Sequence, residues 1–420
     1  MRALLARQLR RFPCSNLPSL QLIFPRRDLR LLRLLQSPQV THLSLLPIAG
    51  GDVVTGVSSN SSPSVWTALA VFTGLPLALW VYKCLMMVVF QRKIIYMGYI
   101  PPGARQESLS DVPASQVKGL SVREICVRGD SQTLYGVTVG RHGQGEPSSI
   151  MLYFQGNAGN TLHRLPVFQS ILSSSSSTSP PHPSSRLSLS RHTSKHSTHS
   201  LEIVCVSPRS YWKSTGSPSG PSQRSLTSDY HAALHYALDA YPPHIPITIY
   251  GHSLGATIAI CLLSSLLDER DSRYKRIQGL ILENPFSSIP NMVEALYPQK
   301  WVPYQYLTPF VLDRWDALAA LDETSPSVLR RLNSDALVLT SELDEVVPPE
   351  MGQEVYRRMR LGFDDAPSEG KAGALECAPH RGRLEVIRGA LHENCWTKTQ
   401  WRKAMTGYML DLEDALGFHR

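Results

Sequence analysis

Ile247-Thr248-Ile249-Tyr250-Gly251-His252-Ser253-Leu254-Gly255-Ala256 is the stretch on which the reading of this chain turns. The apolar and β-branched run Ile247–Tyr250 predicts a strand, and Ala256–Leu267 predicts a helix. Between them lies a G-x-S-x-G pattern, which is a weak signal alone and a strong one at a strand-to-helix join. A turn that sharp holds its serine in a strained backbone conformation with the hydroxyl exposed. Small residues are needed two positions to either side. Gly251 and Gly255 occupy those positions, so Ser253 is the candidate nucleophile.

A serine hydroxyl is a poor nucleophile near neutral pH. It needs an imidazole to take its proton and a carboxylate to orient that imidazole. On an elbow of this kind the chain order is serine, then acid, then histidine, each just past a strand. Asp344 follows the strand-like run Ala336–Thr340 and precedes Pro348-Pro349, which open a helix; His392 follows Leu384–Ile387 and precedes the last helix. Glu342 and Glu345 are rival carboxylates beside Asp344. His252, inside the elbow, should point away from the nucleophile. A tetrahedral intermediate also needs N–H donors aimed at its oxyanion. The Leu254 N–H, at the positive end of the helix, is one candidate. Asn157, in the glycine-bearing loop Gln155-Gly156-Asn157-Ala158-Gly159, is the other.

Outward from the elbow, strand-like runs recur at Ser121–Val127, Thr133–Val139, Ile150–Phe154, Ile203–Val206, Gly279–Leu282, Ala336–Thr340 and Leu384–Ile387. Helical stretches fall between most of them, notably Thr227–Ala240, Gly352–Met359 and Trp396–Leu416. The first strands are close together and the later ones alternate with helices. This order predicts an α/β fold: a mostly parallel sheet with helices on both faces, entered through an antiparallel start.

The N-terminal third is different. Val65 to Tyr82 contains no charge, and Cys84 to Phe90 continues the apolar run past Lys83, long enough for one transmembrane helix. We read residues 64–91 as a single-pass membrane anchor and residues 1–63 as a basic, disordered arm. An endomembrane (endoplasmic reticulum) or plasma-membrane location is the favoured expectation, with a mitochondrial presequence as the alternative reading of the arginine-rich start. In 173–200, 13 of 28 residues are serine and none is acidic, which predicts a disordered insertion. Seven cysteines without close pairs predict core thiols rather than a disulfide framework or a zinc site.

The net charge of +8 invites a nucleic-acid reading. Eight arginines against Asp28 and Asp52 give residues 1–60 a charge of +6, and Arg186, Arg191 and Lys195 add +3 in the serine-rich stretch. The remainder carries −1, so no basic face is left for a polyanion. An anionic membrane surface or an import receptor is the better partner for the arm.

Several segments together resemble the fungal bud-emergence (Bem-like) family of membrane-anchored α/β-hydrolases, which is similar to animal abhydrolase-domain-containing proteins. They are Tyr153–Asn160, the Gly251–Gly255 elbow, Glu283-Asn284-Pro285-Phe286-Ser287-Ser288-Ile289, Ser341–Pro348 and Gly389-Ala390-Leu391-His392. The resemblance implies the α/β-hydrolase fold over 115–420 and Ser253, Asp344 and His392 as the triad. It also implies a short anchor where 64–91 stands. The chain departs from the family where the oxyanion loop usually begins with histidine and here has Gln155. It departs again where an Arg-Gly-Tyr-Gly segment appears as Arg209-Ser210-Tyr211-Trp212, which puts bulky Trp212 near the expected active-site mouth. In such proteins a lid is inserted before the acid. Here 287–334 is aromatic-rich, with Tyr297, Trp301, Tyr304, Tyr306, Phe310 and Trp315, a composition suited to an acyl chain.

The sequence therefore predicts a membrane-anchored serine hydrolase that cleaves an ester or thioester of a small-molecule, lipid or acylated-protein substrate through an acyl-enzyme. No cofactor or metal is called for, since no His-Glu-x-x-His is present. A peptidase would use the same triad, and a silent hydrolase fold serving as a membrane scaffold is the reading from another class.

Overall fold

The computed structural model describes residues 64–129, 131–174, 200–300, 302–364 and 382–417. The expected arm, Trp301, most of the serine-rich stretch, Cys14 and Cys377 lie outside them. Nine strands form one sheet: β1 Leu120–Arg128, β2 Gln132–Arg141, β3 Ser149–Phe154, β4 Leu201–Val206, β5 Thr215–Gly216, β6 Ile247–His252, β7 Ile277–Glu283, β8 Leu337–Ser341 and β9 Arg383–Ile387. Their order is β1-β2-β4-β3-β6-β7-β8-β9, with β5 on β2. The β1–β2 and β2–β4 pairs are antiparallel, and from β4 to β9 every pair is parallel. All eight expected strands are present; the two-residue β5 is an addition that sequence periodicity could not register.

Successive side chains of a strand face opposite ways, so a sheet covered on both sides must be apolar at every position. Here Ile150, Leu152 and Phe154 of β3 enter one core, with Leu234, Ile258 and Leu262 of the helices Gln223–Ala240 and Leu254–Ser265. Met151 and Tyr153 enter the other, with Phe168, Trp401 and Tyr408 of the helices Leu165–Ser174 and Thr399–Ala415. The alternation repeats in β7 and β8. Burying each such side chain is worth roughly 1.5–3 kcal/mol before ordering entropy is set against it.

The sheet also reaches back toward the apolar segment. The helix Val65–Val89 is 25 residues long and none of its residues is buried; it is long and apolar enough to cross a membrane. After it, Tyr96 is buried in the first core, and its hydroxyl accepts a hydrogen bond from Trp315 Nε1 at 2.8 Å. Met97 forms a parallel bridge with Ala158, so the tail of the apolar segment pairs with the loop after β3.

Candidate active site

The elbow is built as its glycines require. Ser253 follows β6 and caps the helix Leu254–Ser265 at φ +54°, ψ −120°, a conformation that L-residues rarely adopt. Its N–H donates to the Glu283 carbonyl at 2.8 Å, which ties the turn to β7. A Cβ on Gly255 would lie 2.1 Å from the Phe154 carbonyl oxygen, and one on Gly251 would lie 2.4 Å from the Ala256 Cα. Neither contact can be relieved by turning a side chain, so both positions admit glycine alone.

The three residues singled out by chain order meet. His392 Nε2 lies 3.0 Å from Ser253 Oγ, and His392 Nδ1 lies 2.8 Å from Asp344 Oδ2. The other oxygen, Oδ1, accepts the backbone N–H groups of Val346 and Val347 at 2.9 and 2.7 Å, which fixes the carboxylate plane. Its rivals are used elsewhere: Glu345 accepts the His392 N–H at 3.0 Å and Glu342 accepts the Gly389 N–H at 2.8 Å. All three acids therefore shape the loop pair after β8 and β9, and Asp344 alone reaches the ring.

The loop after β3 lies against the nucleophile. A Cβ on Gly156 would stand 3.1 Å from His252 Nδ1 and 3.6 Å from Ser253 Cβ, so the loop runs directly beside the elbow. The Asn157 carbonyl accepts from Met97 N–H at 2.7 Å and from the Tyr211 hydroxyl at 3.0 Å. Gly159 N–H donates to the Ile100 carbonyl at 2.8 Å. These bonds hold the Asn157–Ala158 peptide and Gly159 from outside the loop. Leu254 N, the other expected donor, sits at the first position of the elbow helix.

Sequence reasoning missed the residues that hold His392. Its carbonyl receives His252 Nε2 at 3.2 Å and Asn284 Nδ2 at 3.1 Å. Asn284, at φ +49°, is further bonded to Ser341. His252 is fully enclosed, with its ring centre 5.1 Å from that of His392; burial pushes its imidazole down to about 4. Beneath it Glu283 accepts from Trp401 Nε1 at 2.7 Å and from the Tyr250 hydroxyl, and burial raises its carboxyl. His252, His392 and Glu393 offer ligand-type atoms within 4.8 Å of one another. All three are already engaged: His252 by the His392 carbonyl, His392 by Ser253 and Asp344, and Glu393 by Arg164 at 2.6 Å.

One departure from the family pattern is corrected by the structure. Trp212 does not stand at a mouth: it is fully buried, with Nε1 donating to the Glu107 carbonyl at 2.8 Å. Gln155 is buried too, its Oε1 accepting from Ser207 Oγ at 3.4 Å. Of the lid aromatics, Trp315 is core, Tyr297 and Tyr304 pack edge to face at 4.9 Å, and Tyr306 and Phe310 are exposed.

No family model matches the chain. It is 28% identical over 264 residues to the protein Bem46 of Schizosaccharomyces pombe, covering 62% of this chain and 72% of that one. It is 30% identical over 211 residues to the lysophosphatidylserine lipase ABHD12 of Danio rerio, covering 49% of this chain; the match spans about half, 46%, of that lipase. Among solved structures, an α/β-hydrolase from Vibrio vulnificus aligns over 78% of this chain and 93% of its own, with 15% identity and a TM-score of 0.47. With the antiparallel entry, the parallel remainder and the helix-opening elbow already described, the chain has the α/β-hydrolase fold, and its sequence is similar to that of Bem46.

Proposed function

We propose that this chain is a single-pass, membrane-anchored serine hydrolase that cleaves an ester or thioester through an acyl-enzyme. One observation carries the reading: Asp344, His392 and Ser253 are linked in series by bonds of 2.8 and 3.0 Å, with the serine on a strained elbow. With its proton on Nδ1 toward Asp344, the imidazole presents a lone pair at Nε2 to the serine hydroxyl. Ser253 Oγ attacks the acyl carbon as His392 takes its proton. The imidazolium formed is stabilised by Asp344, which keeps its own charge. The N–H groups of Asn157 and Leu254 receive the oxyanion, a contribution of about 10²–10³ in rate for each such donor. His392 then protonates the leaving alcohol or thiol, and a water activated by the same ring releases the acid.

A lipid-linked acyl group is the favoured substrate. The unburied apolar helix would keep the site beside a bilayer, and a relative in sequence is named as a lysophosphatidylserine lipase. The test is labelling by a fluorophosphonate probe. Wild type is expected to label, and Ser253→Ala is expected to lose labelling and at least about 10⁴-fold of ester turnover while remaining folded. An intact, folded wild type that fails to label would overturn the proposal. Faster turnover of aminoacyl amides than of acyl esters and thioesters would replace it with a peptidase.

A further inference from the structure

Outside the apolar helix, the exposed large apolar side chains are not spread over the molecule. Among the described residues, all but Leu361 and Leu410 lie in three places. Phe90, Ile94, Tyr99 and Ile100 follow the apolar helix. Leu296, Tyr306, Phe310 and Leu312 belong to the segment after β7. Leu343, Val346 and Leu391 lie in the loops that carry Asp344 and His392. Each place adjoins the edge where the parallel strands end, because the helix tail pairs with the loop after β3 and the others follow β7, β8 and β9. Tyr306, Phe310 and Leu312 are 60%, 59% and 65% exposed, high values for side chains of this kind on a soluble surface.

We propose that this edge rests on a phospholipid bilayer, with Ile94, Tyr306, Phe310 and Leu312 in the headgroup layer. The inference depends on the anchor reading and extends it from one helix to a whole face. Continuity supports it. The helix Val65–Val89 packs against Pro303–Phe310. At its foot the Gln91 side chain donates to the Phe310 carbonyl at 3.1 Å and accepts from the Leu312 N–H at 2.8 Å. Arg92 closes the same joint on Asp313 at 2.9 Å. A helix that crosses the membrane therefore delivers the 303–312 segment to the interface, with no linker between them.

The chemistry of the patch fits that depth. Tyrosines at a membrane surface keep the ring in the acyl boundary and the hydroxyl in the polar layer. Tyr99 and Tyr306 donate their hydroxyls to the carbonyls of Lys93 and Lys300, at 2.9 and 3.0 Å, so each aromatic stands beside a lysine. Lys93 Nζ also lies 5.2 Å from the centre of the Phe90 ring. Long basic side chains can reach phosphate from such positions. Between Ile289 and Leu312 Glu294 is the sole acidic residue. A substrate held in one leaflet would then reach Ser253 by moving sideways, without leaving the lipid.

The test needs no catalysis. The full chain is reconstituted into phosphatidylcholine vesicles with a benzophenone amino acid at one position, irradiated, and examined by mass for a phospholipid adduct. Positions 306 and 310 are expected to yield the adduct as position 72 does, with at least ten-fold less at 410. Adduct at 72 but not at 306 or 310 would overturn the surface and leave the anchor standing. Loss of adduct at 72 as well would overturn both. A cross-link from 310 to a second copy of the chain would reassign the patch to self-association.

Discussion

Two strand-end turns, one after β6 and one after β4, hold non-glycine residues at positive φ, and they do so by opposite means. Ser253 stands at φ +54°, Ser210 at +69° and Trp212 at +43°. At the β6 turn the strain is accommodated by removing atoms: Gly251 and Gly255 let backbone segments touch. At the β4 turn it is held by adding bonds. Arg209, 2% exposed, pairs with Asp229 Oδ1 at 2.7 Å and takes Pro218 O at 3.1 Å, while the Trp212 indole is fixed on Glu107. The first solution is rigid and steric. The second is a network, and networks can be taken apart piece by piece.

The difference can be broken at either end. Gly255→Ala should have the largest effect, because its Cβ at 2.1 Å from the Phe154 carbonyl forces β3 and the elbow helix apart. We expect more than about 4 kcal/mol of destabilisation and loss of probe labelling, read by denaturant titration. Asp229→Ala leaves the Arg209 charge buried without its partner and should cost about 3–5 kcal/mol by the same measurement. It should also weaken labelling only in proportion to the folded fraction, since Ser253 is not in the network.

A smaller effect belongs to the elbow alone. His252 is held well below its ordinary value, so between about pH 6.5 and 4 the unfolded chain binds a proton that the folded one refuses. Its contribution to stability is present above that window and is lost as pH falls through it, by an amount of order 1–3 kcal/mol. His252→Asn should flatten the fall in Tm between pH 7 and pH 4; an unchanged slope would count against this account. Least of all, Ser210→Gly relieves one positive φ at the β4 turn but loses the bond from Ser210 Oγ to Ser219 O at 2.7 Å. We expect a net gain of about 0.5 kcal/mol, seen as a rise in Tm of about 1 °C.

What could be read in advance follows the same division. Glycines two positions from a serine state a steric requirement within five residues, so the elbow was legible. So were Asp344 and His392, because topology puts the ends of parallel strands side by side. The hands that hold them were not. His252 and Asn284 meet the His392 carbonyl across 140 and 108 positions of chain, and no local pattern announces such a bond. Trp212 misled for a related reason. Its bulk was visible, but whether an indole faces a cleft or the core depends on Glu107, a carbonyl 105 residues away. Aromatic content in the segment after β7 likewise gave no direction: Trp315 turned inward to Tyr96, while Tyr306 and Phe310 turned outward.

The bridge between Met97 and Ala158 alters where the enzyme begins. A chain started at Leu120 would retain every strand, Ser253, Asp344 and His392, and would count as a whole domain by sheet topology. It would lack the Met97 N–H on the Asn157 carbonyl, the Ile100 carbonyl on Gly159, and the Tyr96 hydroxyl that accepts from Trp315 Nε1. Those contacts come from residues 96–100, just past the apolar helix, so a cut placed between the helix and the sheet decides whether the loop that carries Asn157 keeps its outer supports.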